Sequence, residues 1–541
     1  MTWSTKWKLN LNGTKSEAAF FSRSTTDSIW TPTIKIAGRT IKHELFPRLL
    51  GVTLDKQLTF NKHVEIITDK ATGKMRMLGA ISHSGWGWRK QDLRKVYLAH
   101  IHSILTFASS SWQPALSDST MHKLEVKQNQ ALRMITGQAR SSPTEAIRNE
   151  AGVRSIQATA NANCLCSMEK ALRLPTNHPR HLAATETTKQ RLVRNSWRKR
   201  SNQLAAEHKS LFVEDRKPIT FFDVRPWERD IGNARIFPSL PGISGRDDVP
   251  EKKLEAALKR IREFNSTFDI YTDGSASAGT FNGGSGVVIT TGDPAEPHVV
   301  KTLEKKGAKY TCSYNEEFQA LEVALDWAER VCTSNDAIAF MTDSKSLCDA
   351  LIGYGTDVDI LRRRIRNATF KLTIQWIPGH SNIPGNDLAD EAAKRAAEAP
   401  GPFNPTSYGS ICSQIRAATK DPPIEHQRTR EVYRCLSWEK EKEIRSRDDQ
   451  SLLAKLRAGH HPALKAYKAR IDRVTDPTCP LCEEEDQDME HWFTRCPGTE
   501  LKRWLLFGDD SGKLECLTKH PIKAVTLARQ TLGVQCKSTT R

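Results

Sequence analysis

Two short apolar runs end in the same way, and this recurrence constrains the fold more than any other feature of the chain. In the first, Phe268, Ile270 and Tyr271 lead into Thr272, Asp273 and Gly274; in the second, residues 337–341 lead into Thr342, Asp343 and Ser344. Runs of this length and residue type predict strands, and the small residue that follows predicts a turn. In an open α/β sheet, ligands gather outside the carboxyl ends of the strands, so two neighbouring strands of this kind aim Asp273 and Asp343 at one place. Carboxylates side by side repel unless a cation sits between them.

The segment between the runs supplies a third acid. Ser313 with Glu316 three residues later reads as a capping box, and Phe318, Leu321, Ala324, Leu325 and Ala328 recur at helical spacing. Glu317 falls in line with Leu321, Ala324 and Ala328, on the side that faces the sheet, whereas Glu316 points elsewhere. A fourth acid follows a strand-like stretch at 371–377. There the loop 378–385, with His380, leads into an Ala-rich helix carrying Asp387 and Asp390 on its first turns. Taken singly, an acid at a strand end is most often a turn or cap residue, and Asp387 is equally a first-turn acid favoured by the helix dipole. The ordered set carries the functional reading.

These motifs, Asp273-Gly-Ser, Glu317 with Ala320, Thr342-Asp343-Ser, then Gly379-His380 and Gly385-Asn-Asp-Leu-Ala-Asp390, resemble the type 1 ribonuclease H domain, in the variant carried by non-LTR retrotransposon polyproteins. The resemblance covers residues 264–398. It implies an α/β fold, a ribonuclease H-like mixed five-stranded sheet with flanking helices. It also implies that Asp273, Glu317, Asp343 and Asp390 hold two Mg²⁺ (or Mn²⁺) ions, that His380 is a mobile proton carrier, and that the RNA strand of an RNA–DNA hybrid is cut. In-line hydrolysis of a phosphodiester needs an activated water and a neutralised leaving oxygen, which two ions about 3.5–4 Å apart provide. Mg²⁺ prefers carboxylate and water oxygens, as four acids without a cysteine offer. RNA is told from DNA by its 2′-OH, so Gly274, Ser275, Asn315 and Ser344 are expected near the substrate.

At 541 residues there is room for about three domains. The net charge of +18 and pI near 9.4 favour an anionic partner, with nucleic acid the natural one. No long apolar stretch and no signal-peptide core are present, which predicts an intracellular chain without a membrane span, with the nucleus one of the compartments open to it. Twelve scattered Cys suit a reducing compartment with one metal site.

Residues 1–240 read as a C-terminal remnant of a reverse transcriptase. Asn12, Lys15 and Glu17 before Phe20 and Phe21 are similar to the late palm segment of non-LTR reverse transcriptases, and residues 48–55 and 58–63 with the following amphipathic stretches resemble its post-palm, thumb-like helices to about Gly152. The palm acids of that family precede this segment, so the polymerase centre is expected to be missing. Asp509-Asp510 imitates it in the wrong order and reads as an exposed turn. The basic cluster at 189–200 reads first as a solvated helix face, with phosphate contact or nuclear import as the alternatives. Residues 241–263 read as a linker.

From 399 to 541 the chain reads as a small helical tail with a Cys/His zinc site. Cys479, Cys482, His491 and Cys496 suit a tetrahedral Zn²⁺ site, with His460 or His461 as substitutes for His491. The set is similar to the Cys-Cys-His-Cys tail that follows the ribonuclease H domain in some of these polyproteins. Two functions follow from different classes: an endoribonuclease acting on RNA–DNA hybrids through two metal ions, or a catalytically inactive, nucleic-acid-binding retroelement remnant. A DNA-cutting transposase is a third.

Overall fold

The computed structural model describes residues 4–535 apart from 5, 10, 23, 25, 28–29, 37, 187–195, 213–214, 220–229, 244–247 and 354–357. Most of the basic cluster, residues 189–195, therefore lies outside the described residues. The chain divides into two compact units: residues 165–187 with 205–418, and residues 1–164 with 188–204 and 419–541. No helix among the described residues is long and apolar enough to cross a membrane.

The first of these units is built on a mixed sheet of strands β1 (Arg235–Phe237), β2 (Phe268–Ser277), β3 (Phe281–Thr291), β4 (His298–Lys306), β5 (Ala337–Thr342) and β6 (Lys371–Trp376), in the order β4-β3-β2-β5-β6-β1. β2, β3 and β4 are antiparallel neighbours, and β2, β5, β6 and β1 run parallel. Alternation along each strand separates two cores. Ile270, Val287, Ile289, Ile338 and Phe340 pack under helices α2 (Ser313–Val331), α3 (Lys345–Ile352) and α4 (Asp359–Asn367). Tyr271, Val288, Ala339 and Met341 pack on the opposite face under α1 (Pro250–Phe264) and α5 (Pro384–Glu398). This is a ribonuclease H-like fold with a sixth strand.

Two local readings change. The stretch 241–263, read as a linker, supplies most of α1, whose Ala257 and Ile261 are fully buried on the sheet, and β1 comes from the residues just before it, within the 1–240 segment. The capping box does not form: Cys312 is the N-cap without a side-chain bond, and the buried Glu316 carboxylate accepts from Thr311 Oγ1 at 2.5 Å and Ser285 Oγ at 3.3 Å. Asn315 gives its amide nitrogen to Ser407 Oγ at 3.3 Å and Ser410 Oγ at 2.8 Å, so it ties α2 to the start of helix α6 (Tyr408–Ala418).

The other unit joins segments that lie hundreds of residues apart, cutting across the boundaries at 240 and 399. Helices Asn61–Ile81, Lys90–Tyr97 and Asp118–Thr136 enclose one apolar core around Leu78, Leu93, Leu105, Trp112 and Leu132. A second core of tail residues, including Leu453, Leu456, Trp492 and Phe493, takes in Ala146 from the amino-terminal part. Between them Lys90 Nζ lies 2.6 Å from Glu150 and 2.5 Å from Glu441, and Arg457 lies 3.1 Å and 2.6 Å from the same two acids. All four side chains are at most 2% exposed. The set is neutral overall, and every charge has two opposite partners. The tail's Asp509-Asp510 forms a 3₁₀ turn in which Asp510 pairs with Lys513 at 2.7 Å and Lys519 at 2.5 Å, an exposed turn as read.

Burial alone would raise the Glu441 carboxyl, but Arg457 and Lys90 pull it down to about 2. Its contribution is therefore present above the ordinary carboxylate range and is lost as the pH falls towards 2. Removing one partner strands a buried charge, at a cost of about 3–5 kcal/mol. Glu441→Ala is thus expected to raise hydrogen exchange in both 144–151 and 447–457 while leaving the sheet protected; unchanged exchange in 144–151 would show that the two segments are not coupled.

Candidate active site

Parallel pairing sets the site. Thr342 stands opposite Thr272 in the β5–β2 register, so Asp343, just past the end of β5, lies beside Asp273; β2 itself runs on through Gly274 to Ser277, paired with β3, so Asp273 sits within the strand and the turn expected at Gly274 does not form. The third acid arrives because β2 and α2 approach closely at Gly274, where a Cβ would lie 2.3 Å from the Glu317 backbone nitrogen. Any side chain there would push the first turns of α2 off the strand. One carboxylate oxygen each from Asp273, Glu317 and Asp343 lies within 4.8 Å of the others.

The three are buried or partly buried, and the proton affinities of Asp273 and Glu317 are raised by burial and by their acidic neighbours. Burial, then Asp343 and Asp390, push Asp273 up to about 7. Glu317 is driven well upwards by burial and then by Asp273 and Asp343. Asp343 is raised by burial, with its hydrogen bond to Glu317 and then the charge of His380 acting in the opposite sense. Glu317 Oε2 is buried without a hydrogen-bond partner among the described residues. A fully buried, unpartnered carboxylate oxygen beside two further carboxylates is costly unless a cation completes it, and an all-oxygen donor set suits Mg²⁺ or Mn²⁺.

The fourth acid stands apart from this trio. Asp390, on α5, pairs with Lys394 at 2.6 Å and is not within the 4.8 Å group. Its charge nevertheless acts on both Asp273 and Asp343, whereas Asp387 is influenced by burial, Asp390 and His380. α5 reaches this position because β3 has glycines beneath it: at Gly286 a Cβ would lie 2.3 Å from the Ala389 carbonyl oxygen. His380 is exposed in the loop before α5, with φ of 51°, and Asn382 nearby has φ of 56°. Two non-glycine residues in the left-handed region mark a loop held in an unfavourable backbone conformation by its surroundings.

Of the expected substrate contacts, Gly274 offers its N–H to the carboxylates of Asp273 and Glu317. Ser275 is half-buried on β2 opposite Gly284, and Ser344 caps α3, with its N–H donated to Thr342 Oγ1 at 3.2 Å. Two residues escaped the sequence reading. Trp376 Nε1 donates to the Asp343 carbonyl at 3.0 Å, fixing the backbone behind that acid, and Lys345 Nζ lies 5.9 Å from the Trp376 ring centre. The signal was an aromatic residue ending the strand next to β5, but its partner depends on register.

A separate cluster lies in the tail. Cys479, Cys482, His491 and Cys496 place one donor atom each within 4.8 Å of the rest. Cys479 and Cys496 sulfurs are 3.7 Å apart, and Cys482 Sγ is 3.3 Å from His491 Nε2. A Zn²⁺ tetrahedron with ordinary bond lengths has edges of about 3.8 Å between sulfurs and about 3.5 Å from sulfur to nitrogen. Glu485 Oε2 stands 3.3 Å from His491 Nδ1. His460 instead contacts Ser141 and Tyr467, and His461 Nδ1 accepts from the Ala463 N–H.

A family model for RNase H matches residues 265–398. A probable RNA-directed DNA polymerase from transposon BS of Drosophila melanogaster is 28% identical over 134 residues, which is 25% of this chain and 15% of that protein's length. Among solved structures, RNase H1 from Halobacterium salinarum is 22% identical and covers 24% of this chain and 97% of its own, with a TM-score of 0.20. LC11-RNase H1 in complex with RNA/DNA hybrid is 19% identical over 24% of this chain and 99% of its own, with a TM-score of 0.20. The prototype foamy virus protease-reverse transcriptase is 21% identical over 25% of this chain and 22% of its own, with a TM-score of 0.21. Residues 265–398 are an RNase H domain, carried in a chain related to a retrotransposon reverse transcriptase.

Proposed function

We propose that the chain is an endoribonuclease that hydrolyses the RNA strand of RNA–DNA hybrids, using two divalent ions held by Asp273, Glu317, Asp343 and Asp390. The observation that supports this reading most is the trio of carboxylates within 4.8 Å, Asp273 within β2, Asp343 just past β5 and Glu317 on α2, with one oxygen of Glu317 unpartnered among the described residues. Two Mg²⁺ ions bound there would activate a water and neutralise the leaving oxygen. Asp273 and Asp343 would hold the ions from two strands, and Glu317 would orient one of them through its unpartnered oxygen. Asp390 would join them by exchanging Lys394 for metal. His380, on its strained exposed loop, would carry the proton that the leaving oxygen must receive. Gly274 and Ser275, the residues of β2 that follow Asp273, would read the ribose 2′-OH of the RNA strand.

The zinc reading belongs to the same proposal. Cys479, Cys482, His491 and Cys496 would close a structural Zn²⁺ site in the tail, with no open position for chemistry. The amino-terminal helices would be the remnant of a polymerase's post-palm region.

Three outcomes test these statements. With Mg²⁺, the full chain is expected to cut a labelled RNA–DNA hybrid in its RNA strand, and Asp273→Asn with Asp343→Asn to reduce this to background. A wild type that binds hybrid and never cuts it would leave the inactive-remnant reading. Without metal, the raised carboxyl of Asp273 makes the domain less stable as the pH rises from about 4 through about 7. Asp273→Asn is therefore expected to raise the metal-free Tm by about 2–4 °C at pH 8, and Mg²⁺ to stabilise the wild type more at pH 8 than at pH 5. Removing Zn²⁺ with a chelator should increase hydrogen exchange across 479–499 while sparing hybrid cleavage assayed in Mg²⁺. A chain that carries no zinc by metal analysis would refute the tail site.

A further inference from the structure

One cavity outside the carboxylate site takes in the described end of the basic cluster. Its volume is about 440 Å³, in the range of roughly 300–1,000 Å³ usual for small-molecule sites. Helix Trp197–Glu207 contributes Lys199, Arg200 and Gln203, and helix Ile156–Leu172 contributes Gln157 and Asn161. Asn161 Oδ1 accepts from Gln157 Nε2 and from Arg200 Nη2, each at 3.0 Å, so three of these side chains are already held in one arrangement. Gln113, also lining the cavity, is 3% exposed; its Nε2 goes to the Leu105 carbonyl at 3.3 Å, and its Oε1 has no partner among the described residues.

The lining combines two cations with one carboxylate, Asp118, and carboxamides that both donate and accept. A bare phosphate has no use for the four carboxamides Gln113, Gln157, Asn161 and Gln203. A base edge needs donors and acceptors side by side, and carboxamides recognise such edges when a base is unpaired and accessible. Leu116 and Met121 add apolar surface for a base face. We propose that this cavity binds a single unpaired nucleotide of a nucleic-acid strand, with its phosphate on Lys199 and Arg200 and its base edge on Gln157, Asn161 and Gln203. The choice of a nucleotide rests on the nucleic-acid reading above, and the site itself is independent of cleavage.

The test is fluorescence anisotropy of the full chain, without added Mg²⁺, on a blunt RNA–DNA hybrid and on the same hybrid with a single-stranded overhang. The overhang is expected to tighten binding about 5–10-fold, and millimolar adenosine monophosphate to abolish that advantage where inorganic phosphate does not. Lys199→Gln with Arg200→Gln should remove the advantage and lower the salt slope by about two. Gln157→Ala with Asn161→Ala should remove it at an unchanged slope. Lys123→Gln, outside the cavity, should do neither. The assignment is overturned if the overhang gives no advantage, if phosphate competes as well as the nucleotide, or if Lys123→Gln weakens binding as much as the double variant. Hybrid cleavage is measured separately, so a chain that fails to cut but keeps the overhang preference retains the cavity and loses only the nuclease reading; circular dichroism of each variant identifies any that fail to fold.

Discussion

Mutual repulsion among three clustered carboxylates is the condition around which the RNase H domain is arranged. Asp273, Glu317 and Asp343 sit within 4.8 Å of each other, and burial compounds the repulsion by removing the water that would screen it. Such a cluster survives only where the surrounding scaffold is stable without it. Here the scaffold is the parallel pair β2–β5, whose flanking residues Ile270, Tyr271, Phe340 and Met341 are completely buried. The pairing brings the acids together whether or not the acids favour the encounter.

Close approach then decides which side chains can join the pair. Gly274 lets α2 settle on the strand and bring Glu317, and Gly286 lets α5 lie low enough on β3 to set Asp390 beside the others. The indole of Trp376 and the left-handed residues of the 378–383 loop hold the remaining edge. Asp390 differs from the trio in already having a counter-ion, Lys394. It is the acid whose environment can change most when charge is added to the site.

The other unit depends on a different balance. Lys90, Glu150, Glu441 and Arg457 are each too costly to bury alone, yet as a closed set they match donors to acceptors and join segments separated by about 300 residues of chain. The RNase H domain is therefore inserted in sequence between two parts of one compact unit. A tail considered in isolation would leave Glu441 and Arg457 without Lys90 and Glu150, and would expose the surface that receives Ala146.

What was readable from residues alone is what depends on local period and on chain order. The apolar runs, the helical line of Glu317 with Leu321 and Ala324, and the repeated Thr-Asp pairs indicated neighbouring strands that bring acids together, because these patterns are set by backbone geometry, although β2 runs on past Asp273 to Ser277. The Cys479/Cys482 spacing likewise announced a thiol pair. Tertiary structure alone decided the rest. Glu316 left its capping role because Thr311 and Ser285 offered a buried partner set, Asn315 went to Ser407 and Ser410, and the stretch at 241–263 became part of the fold because the apolar face of α1 had a sheet to cover. The same holds for the four-charge set. Each of these is a choice between partners far apart in the chain, and no local pattern encodes which of them folding will bring within reach.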